Sequence, residues 1–173
     1  MTGVQTCALP ICDSHLFGST GYGYNDRGRE VIDAVFSQVF GAEDALVRHN
    51  IVCGTHAISL CLFAVLRHGD TLVSLTGKPY DTLEEVIGIS GEGHGSLKDF
   101  GINYKQVDLT DGRVDYNNIM STIDKNTKAV LIQKSKGYDW RQSLTNKEIG
   151  EIIAKIKDIN REIICIVDRS EER

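Results

Sequence analysis

Gly54 and Thr55 stand between two different sequence patterns. The residues before them continue an apolar run typical of a strand, and those after them have helical character. A strand that turns through Gly-Thr into a helix directs several free backbone N–H groups, and the positive end of the helix dipole, towards one point. Such a point suits a phosphate, although most α/β domains contain a turn of this kind. We therefore interpret Gly54 and Thr55 as a candidate anion cradle.

Three further groups that could bind a ligand follow predicted strands. Tyr80 comes after the apolar run 72–75 and directly before a helix, and Asp168 closes the last apolar run of the chain. The polar and aromatic loop 135–141 follows the apolar run 128–133. Ligands of parallel sheets lie beyond the carboxyl ends of the strands, so these groups and the cradle are expected to converge. A purely structural role stays open for each of them, at the sheet edge, at a strand end or in loop packing.

A segment rich in Gly, Ser, Thr and Tyr, 13–27, precedes the first predicted helix. Its glycines alternate with tyrosines and it ends on Arg27. This pattern suits a backbone in close approach to a ligand, with aromatic and basic side chains reaching outward. A flexible surface loop is the alternative that the residues alone leave open.

The elements that must position these groups can be predicted from hydrophobic periodicity. Apolar residues at helical spacing predict a helix over 28–40 that ends at Gly41. Residues 45–52 predict a short strand that leads into the cradle. Thr55 is then the N-cap of a helix that continues to Arg67.

The rest of the chain alternates between strand and helix patterns. The predicted strands are 72–75, 104–109, 128–133 and 163–167, and the helices between them begin at an Asp81–Glu84 capping pair, at Asp115 and at a Thr145–Glu148 capping box. This order predicts an α/β fold in three layers, a sandwich with a mostly parallel sheet covered by helices on both faces.

Length and composition narrow the class of protein. The 173 residues suit one domain, and 41% hydrophobic with 25% charged residues is an ordinary globular composition. The formal net charge of -5 argues against a nucleic-acid-binding surface, and no apolar run approaches the ~20 residues that a membrane span needs. The five cysteines show no metal-binding spacing, which favours a reducing cytoplasm. We expect small molecules and other subunits as partners, and neither nucleic acid nor membrane.

The two ends of the chain do not resemble protein sequence. Residues 1–12 and 169–173 resemble translations of a sequencing adaptor, read on one strand and on the other. We therefore expect these segments to be non-native and 13–168 to be the biological sequence, with the natural protein continuing at both ends.

Between these ends the chain resembles the aluminium-resistance or methionine gamma-lyase-like family of fold-type I pyridoxal-phosphate enzymes, which act in cysteine and methionine metabolism. The segments that carry the resemblance are, in order, HLFGSTGYGYNDRGRE, VFGAEDALVR, GTHAIS, LTGKPYDTLEEVIG, GSLKDFGINYKQVDL and IVD. The resemblance implies that 13–168 is part of the large domain of the fold-type I transferase fold. It also implies a carbon–sulfur lyase, similar to methionine gamma-lyase or cystathionine lyase, with a small sulfur amino acid as substrate. An aminotransferase and a non-catalytic incomplete fold are the alternatives.

The same resemblance implies a role for each candidate group. The backbone N–H groups of Gly54, Thr55 and His56 would hold the phosphate of pyridoxal 5'-phosphate. Tyr80 would stack on the pyridine ring. Asp168 would pair with the pyridinium nitrogen and keep it protonated, which makes the ring an electron sink.

A contribution from a second subunit is also implied. Tyr24 and Arg27 match the region from which related lyases reach the phosphate of a neighbouring subunit. The resemblance therefore implies a homodimer or homotetramer, in which the subunits complete each other's active sites.

The Schiff-base lysine of this fold comes some tens of residues after the pyridinium-binding aspartate. All lysines of the chain precede that aspartate, Asp168, and none of them matches the aldimine position of the family; they include Lys78, Lys98, Lys134 and Lys136. We therefore expect no catalytic lysine within the chain as given, and no activity from this chain alone.

Overall fold

The structure is a computed structural model that describes residues 26–136 and 141–169. It has two compact units, Met1–Val52 and Cys53–Arg173. The first unit contains helix α1, Arg27–Phe40, whose start is capped by the Asp26 carboxylate. Gly41 ends the helix in the left-handed conformation, with a φ of 63° that glycine adopts without steric cost. The predicted helix and its glycine end are thereby confirmed.

The strand predicted for 45–52 is wrong, because the structure assigns no strand to this segment. The Asp33 carboxylate of α1 accepts hydrogen bonds from the Val47 N–H at 2.7 Å and from the Arg48 guanidinium at 2.8 Å. The Ile51 N–H donates to the Arg48 carbonyl at 3.0 Å and closes a turn. Backbone groups that a strand would use for pairing are thus engaged by a side chain and by a turn.

The second unit alternates helices with strands, and its order confirms the predicted α/β fold. Its elements are α2 (Gly54–Val65), β1 (Thr71–Ser74), α3 (Asp81–Ile87), β2 (Asn103–Gln106), α4 (Tyr116–Thr122), β3 (Thr127–Gln133), α5 (Asn146–Ile159) and β4 (Ile164–Asp168). The four strands are all parallel and lie in the order β2-β1-β3-β4. The interior position of β3 agrees with its continuous apolar sequence, because a strand covered on both faces needs apolar side chains along its whole length.

Helices cover both faces of this sheet. Leu72 and Leu131 belong to a core shared with α2 and α3, whereas Val73, Val130 and Ile132 belong to a core shared with α4 and α5. The division follows from strand geometry, since successive residues point to opposite faces. Each fully buried Leu or Ile side chain contributes about 1.5–3 kcal/mol to the free energy of unfolding. The predicted three-layer sandwich is therefore confirmed.

The helix starts agree with the predicted caps in α5 but not in α3. In α5 the Glu148 N–H donates to the Thr145 hydroxyl at 3.2 Å, and the Thr145 N–H donates to the Glu148 carboxylate at 2.7 Å, which confirms the capping box. The predicted Asp81–Glu84 pair is wrong as a cap, because the N-cap of α3 precedes Asp81 and has no side-chain cap bond. Glu84 instead forms an ion pair with Lys78 at 2.8 Å.

Helix α2 is shorter than predicted. It ends at Val65 rather than at Arg67, whose backbone N–H donates to the Asp70 carboxylate at 2.8 Å in the turn that leads to β1. Within residues 26–136 and 141–169, no helix is both long enough and apolar enough to cross a membrane.

Candidate functional site

One face of the sheet becomes polar at the carboxyl ends of its strands. The polar residues at these strand ends are Ser74 of β1, Gln133 of β3 and Asp168 of β4. In each strand, the residue two positions earlier belongs to the core under α2 and α3 or packs against it. Because residues two apart in a strand point to the same face, all three polar residues lie on the face that α2 and α3 cover. Gln133 and Asp168 are direct neighbours in the register of their strands. All three are buried, with exposed fractions of 1%, 6% and 4% respectively. Burial of polar groups costs free energy unless partners satisfy them, so this edge is a candidate binding site.

The predicted cradle lies at the start of α2. Gly54, Thr55 and His56 form its first turn, but the N-cap is Cys53 rather than Thr55. The Cys53 sulfur accepts a hydrogen bond from the His56 N–H at 3.4 Å, so the N–H predicted to contact phosphate already has a weak acceptor. A helix offers no internal acceptor to the N–H groups of Gly54 and Thr55. The role of these two donors as an anion cradle stays a prediction.

A side-chain hydrogen bond connects the cradle to helix α3, which begins next to Tyr80. The Thr55 hydroxyl donates to the Thr82 hydroxyl at 2.9 Å, which brings the starts of α2 and α3 together. Tyr80 is the N-cap of α3, and its phenol shares a hydrogen bond with the Ser135 hydroxyl after β3. Tyr80 therefore reaches from the cradle side of the site to the end of β3.

Asp168 is the last residue of β4, as the prediction of a strand-end aspartate requires. Ile164 and Ile166 pack against the core under α2 and α3, so alternation along the strand directs the Asp168 side chain to the same layer. Its backbone carbonyl accepts from the Lys134 N–H at 3.0 Å, which fixes the end of β4 against β3.

Gln133 is a candidate functional residue that the sequence reasoning missed. Its backbone N–H donates to the Thr76 hydroxyl at 3.0 Å, and its side-chain amide nitrogen donates to the Ser135 carbonyl at 3.4 Å. Within the part of the chain that the structure describes, its side-chain oxygen Oε1 has no hydrogen-bond partner. A polar residue at the end of the apolar run KAVLIQ was the available signal.

Arg141 secures the backbone after β3. Its Nη2 atom donates to the Ser135 carbonyl at 2.6 Å and to the Gln133 carbonyl at 3.1 Å, and its Nη1 atom donates to the Gln142 carbonyl at 3.2 Å. The side chain belongs to a residue that is 8% exposed. A buried guanidinium that donates to several carbonyls fixes the backbone through its planar, multi-donor geometry.

An open cleft of about 1000 Å³ lies beyond the carboxyl ends of β1, β2 and β3. Tyr80, Gln133 and Arg141 line it. So do side chains of both charges, namely Lys78, Arg113 and Lys136 with Asp81, Asp108 and Asp111. Gly54 and Thr55 of α2 and Asp168 of β4 are not among its lining residues. Tyr80 thus lines the cleft and is also the N-cap of the helix whose Thr82 contacts the cradle.

The surroundings shift the pKa values of two groups near β1. Burial raises the pKa of the Tyr104 phenol to about 12, still further above neutral pH than its ordinary value. The hydrogen bond from Lys78 lowers the pKa of the Glu84 carboxyl. Within the described residues, no group of His, Cys, Asp and Glu side chains could hold a metal ion.

The structure does not test the remaining predicted site residues. Arg27 is the first residue of α1, in the first unit, and its proposed phosphate contact stays a prediction. Tyr24, together with Tyr138 and Trp140 of the loop after β3, lies outside the described residues.

Comparison with known proteins identifies relatives that are longer than this chain. Over 160 residues it is 52% identical to YnbB of Bacillus subtilis strain 168, an uncharacterized protein, and the match covers 91% of this chain and 38% of YnbB. A Listeria monocytogenes protein provisionally named cystathionine beta-lyase involved in aluminum resistance has a similar structure, with a TM-score of 0.87, 48% identity, and coverage of 91% of this chain and 39% of that one. A Clostridium novyi carbon-sulfur lyase involved in aluminum resistance is also similar, with a TM-score of 0.84 and 46% identity, and the match covers 91% of this chain and 38% of that one. The chain therefore spans about two fifths of the length of these relatives.

A more distant structure supports the fold alone. A Campylobacter jejuni protein provisionally named O-acetylhomoserine (thiol)-lyase, solved with a pyridoxyl-lysine phosphate, matches with a TM-score of 0.59 and 24% identity, over 83% of this chain and 30% of that one. This likeness agrees with the predicted assignment to the large domain of the fold-type I pyridoxal-phosphate enzymes.

The family model for methionine gamma-lyase matches residues 8–171, nearly the whole chain. This chain therefore belongs to the methionine gamma-lyase family.

Proposed function

We propose that this chain is the cofactor-binding part of a pyridoxal-phosphate-dependent carbon–sulfur lyase that acts on a small sulfur amino acid. The names of the Listeria and Clostridium relatives support a lyase of this class. The observation that carries the proposal is Asp168, a carboxylate residue that is 4% exposed at the carboxyl end of β4. A buried anion on the layer that also holds the start of α2 suits a ring nitrogen that must keep its proton.

The residues present fit the chemistry of pyridoxal phosphate. The phosphate needs N–H donors, which Gly54 and Thr55 offer at the start of a twelve-residue helix. The pyridinium nitrogen needs an anionic acceptor, which Asp168 supplies, and the flat ring needs an aromatic neighbour such as Tyr80. Among the described residues, Gln133 Oε1 also lacks a donor that a bound group could provide.

Each residue has a distinct part in the proposed chemistry. When bound, pyridoxal phosphate supplies an electron sink for the negative charge that develops at the substrate Cα. Asp168 holds a proton on the ring nitrogen, and the low dielectric of its buried position strengthens this charge-assisted hydrogen bond. Gly54 and Thr55 bind the phosphate and so orient the ring, while Tyr80 covers the ring and excludes water from it.

The cleft beside Tyr80 is the proposed substrate site. An amino acid carries an ammonium and a carboxylate group, and the cleft is lined by residues of both charges. We propose in addition that Tyr24 and Arg27 complete the phosphate site of a neighbouring subunit, in a homodimer or homotetramer. The net charge of -5 supports a small-molecule substrate rather than nucleic acid.

Binding of pyridoxamine phosphate to the purified chain tests the cofactor site. This ligand has no aldehyde and forms no Schiff base with surface lysines, so calorimetry reports only the non-covalent contacts. We expect Asp168→Asn to weaken binding roughly ten- to a hundredfold, since a hydrogen bond to a charged group contributes about 1.5–3 kcal/mol. Asp158→Asn, at an exposed position of α5, is the matched control and should leave the affinity unchanged.

Two outcomes would contradict the cofactor site. Equal affinity of the Asp168→Asn variant and the unmodified chain would remove Asp168 from it. Equal affinities for pyridoxamine and for pyridoxamine phosphate would show that Gly54 and Thr55 do not bind the phosphate. The resemblance places the Schiff-base lysine after Asp168, so this test measures binding rather than turnover.

The reaction type is tested on a complete protein that contains this sequence. A carbon–sulfur lyase should release a thiol, ammonia and a 2-oxo acid from a sulfur amino acid, with water as the only other reactant. Formation of the oxo acid only when another oxo acid is supplied, with no thiol, would show an aminotransferase and would contradict the lyase proposal.

A further inference from the structure

We propose that Ser135 and Arg141 are positioning residues that hold the Tyr80 ring in place for the cofactor. The inference rests on the function proposed above, because the cofactor gives the position of Tyr80 its importance. It concerns Tyr80 and two residues that lie much later in the sequence, Ser135 and Arg141, which the structure joins to it by hydrogen bonds at the carboxyl end of β3.

Hydrogen bonds hold Tyr80 both at its backbone and at the phenol end of its side chain. Its backbone carbonyl accepts from the Leu83 N–H at 2.8 Å, in the first turn of α3. Its phenol shares a hydrogen bond with the Ser135 hydroxyl, on a residue that is 9% exposed. A tyrosine ring has only two rotatable bonds, so fixing the backbone and the phenol oxygen leaves the ring little freedom.

Ser135 needs a support of its own, because it lies beyond the last paired residue of β3. Arg141 provides that support by donating to the Ser135 carbonyl at 2.6 Å and to the Gln133 carbonyl at 3.1 Å. The two carbonyls flank the strand end, so one guanidinium fixes the backbone from β3 to Ser135. Burying a guanidinium is costly unless its N–H groups find acceptors, and these carbonyls meet that need.

The consequence for the site is a chain of contacts from Arg141 through Ser135 to Tyr80. On its other side, Tyr80 begins the helix whose Thr82 hydroxyl accepts from Thr55 in the cradle. The position of the ring is therefore fixed relative to the end of β3 and to the residues proposed to bind phosphate. A change at Ser135 or Arg141 should alter how Tyr80 meets the cofactor without touching the cofactor directly.

The first arm of the test needs no cofactor. The full chain is prepared with ¹³C-labelled tyrosine, and the Tyr80 signal is assigned by its loss in Tyr80→Phe. Ser135→Ala and Arg141→Gln should each shift the Tyr80 ring signals in the same direction, and Ser135→Thr, which keeps the hydroxyl, should restore them. Ser143→Ala, in the exposed part of the same loop, is the matched control and should leave the signals unchanged. If Arg141→Gln fails to fold, Arg141→Lys keeps the charge and takes its place.

The second arm measures pyridoxamine phosphate binding and the circular dichroism that the bound ring acquires. We expect Ser135→Ala to weaken binding roughly three- to tenfold, the effect of one hydrogen bond, and to reduce the induced dichroism, with recovery in Ser135→Thr.

The two arms separate this inference from the proposed function. Unchanged Tyr80 signals in Ser135→Ala would overturn the positioning role, and so would unchanged affinity and dichroism in a chain that binds the ligand. Failure of the unmodified chain to bind the ligand would overturn the proposed function itself, along with the role that depends on it.

Discussion

Gln133 closes β3 with a side-chain amide that is held in place but incompletely bonded. Its residue is 6% exposed, its amide nitrogen makes one long hydrogen bond of 3.4 Å, and its Oε1 has no partner among the described residues. A buried acceptor without a partner costs about 1–3 kcal/mol. Residues that lower stability in this way are expected where a ligand later supplies the missing donor.

This cost can be measured by replacing Gln133 with a residue of similar volume that has no polar atoms. We expect Gln133→Met to raise the free energy of unfolding of the ligand-free chain by about 1 kcal/mol, because no acceptor is then left buried without a donor. Urea denaturation followed by circular dichroism gives this value. Gln133→Ala is the comparison and should destabilise the chain by leaving a cavity. A loss of stability in Gln133→Met would show that Oε1 is already satisfied in the free protein.

Sequence reasoning reached some of these residues and not others, for a physical reason. Asp168 and Tyr80 follow strands, and the rule that parallel sheets bind ligands beyond their carboxyl ends is sufficient to select them. The links from Tyr80 to Ser135 and from Arg141 to Ser135 depend on which strand ends become neighbours. No local pattern encodes that, so Ser135 received no individual role from sequence, whereas Gln133 was missed although it ends an apolar run.

At the scale of elements, helix α5 shows how local chemistry specifies a boundary. The Thr145 hydroxyl and the Glu148 carboxylate each accept from the other residue's backbone N–H, so two donors at the helix start are satisfied within four residues of sequence. The hydrogen bond from the Thr145 N–H is the largest cause of a lowered pKa of the Glu148 carboxyl.

The capping box leads to a prediction about stability and pH. Thr145→Ala should lower the free energy of unfolding by about 1 kcal/mol at neutral pH. Because the folded-state pKa of Glu148 is lowered, its contribution is present above the unfolded-state pKa and is lost as the pH falls through the folded-state pKa. Urea denaturation should therefore show a difference between the unmodified chain and Glu148→Gln at pH 7 that disappears in acid. Glu92→Gln, at an exposed turn position, is the control, and an equal effect there would contradict the assignment.

The segment 45–52 shows where local patterns fail. Its apolar residues resemble a strand, but the Val47 N–H donates to Asp33, which lies fourteen residues earlier in the chain. A carboxylate from a neighbouring helix competes successfully with strand pairing, and the Arg48 guanidinium holds that carboxylate charged by lowering its pKa. Hydrophobic periodicity cannot predict a competing side chain that lies so far away in sequence. The caps of α1 and α5, by contrast, are formed by residues within or next to the helices that they end or begin.

At the scale of the whole molecule, the two hydrophobic cores formed by residues 26–136 and 141–169 are built from the second unit. Their buried members begin at Ile58 and end at Ile163, and α1 of the first unit has no buried residue. The parallel order of the sheet was predictable because each strand is followed by a helix pattern, and parallel strands need such crossovers.

A shortened chain tests whether the second unit is stable by itself. A chain that begins at Cys53 should keep a cooperative thermal transition, because it retains every residue of both cores. Scanning calorimetry on both chains gives the comparison. In the shortened chain, Leu131→Ala should cost about 2–5 kcal/mol, as expected for a large side chain removed from a packed core. A shortened chain without a cooperative transition would show that residues 1–52 are needed for folding.

The alternation of side chains along β3 has a consequence for how this protein can change during evolution. Val130 and Ile132 face the core under α4 and α5, whereas Ala129, Leu131 and Gln133 face the opposite layer, which becomes polar at the strand ends. Substitutions on the polar side could retune ligand preference while the other core stays intact. Selection for a stable core and selection for a new ligand preference can thus act on adjacent residues of the same strand with little interference.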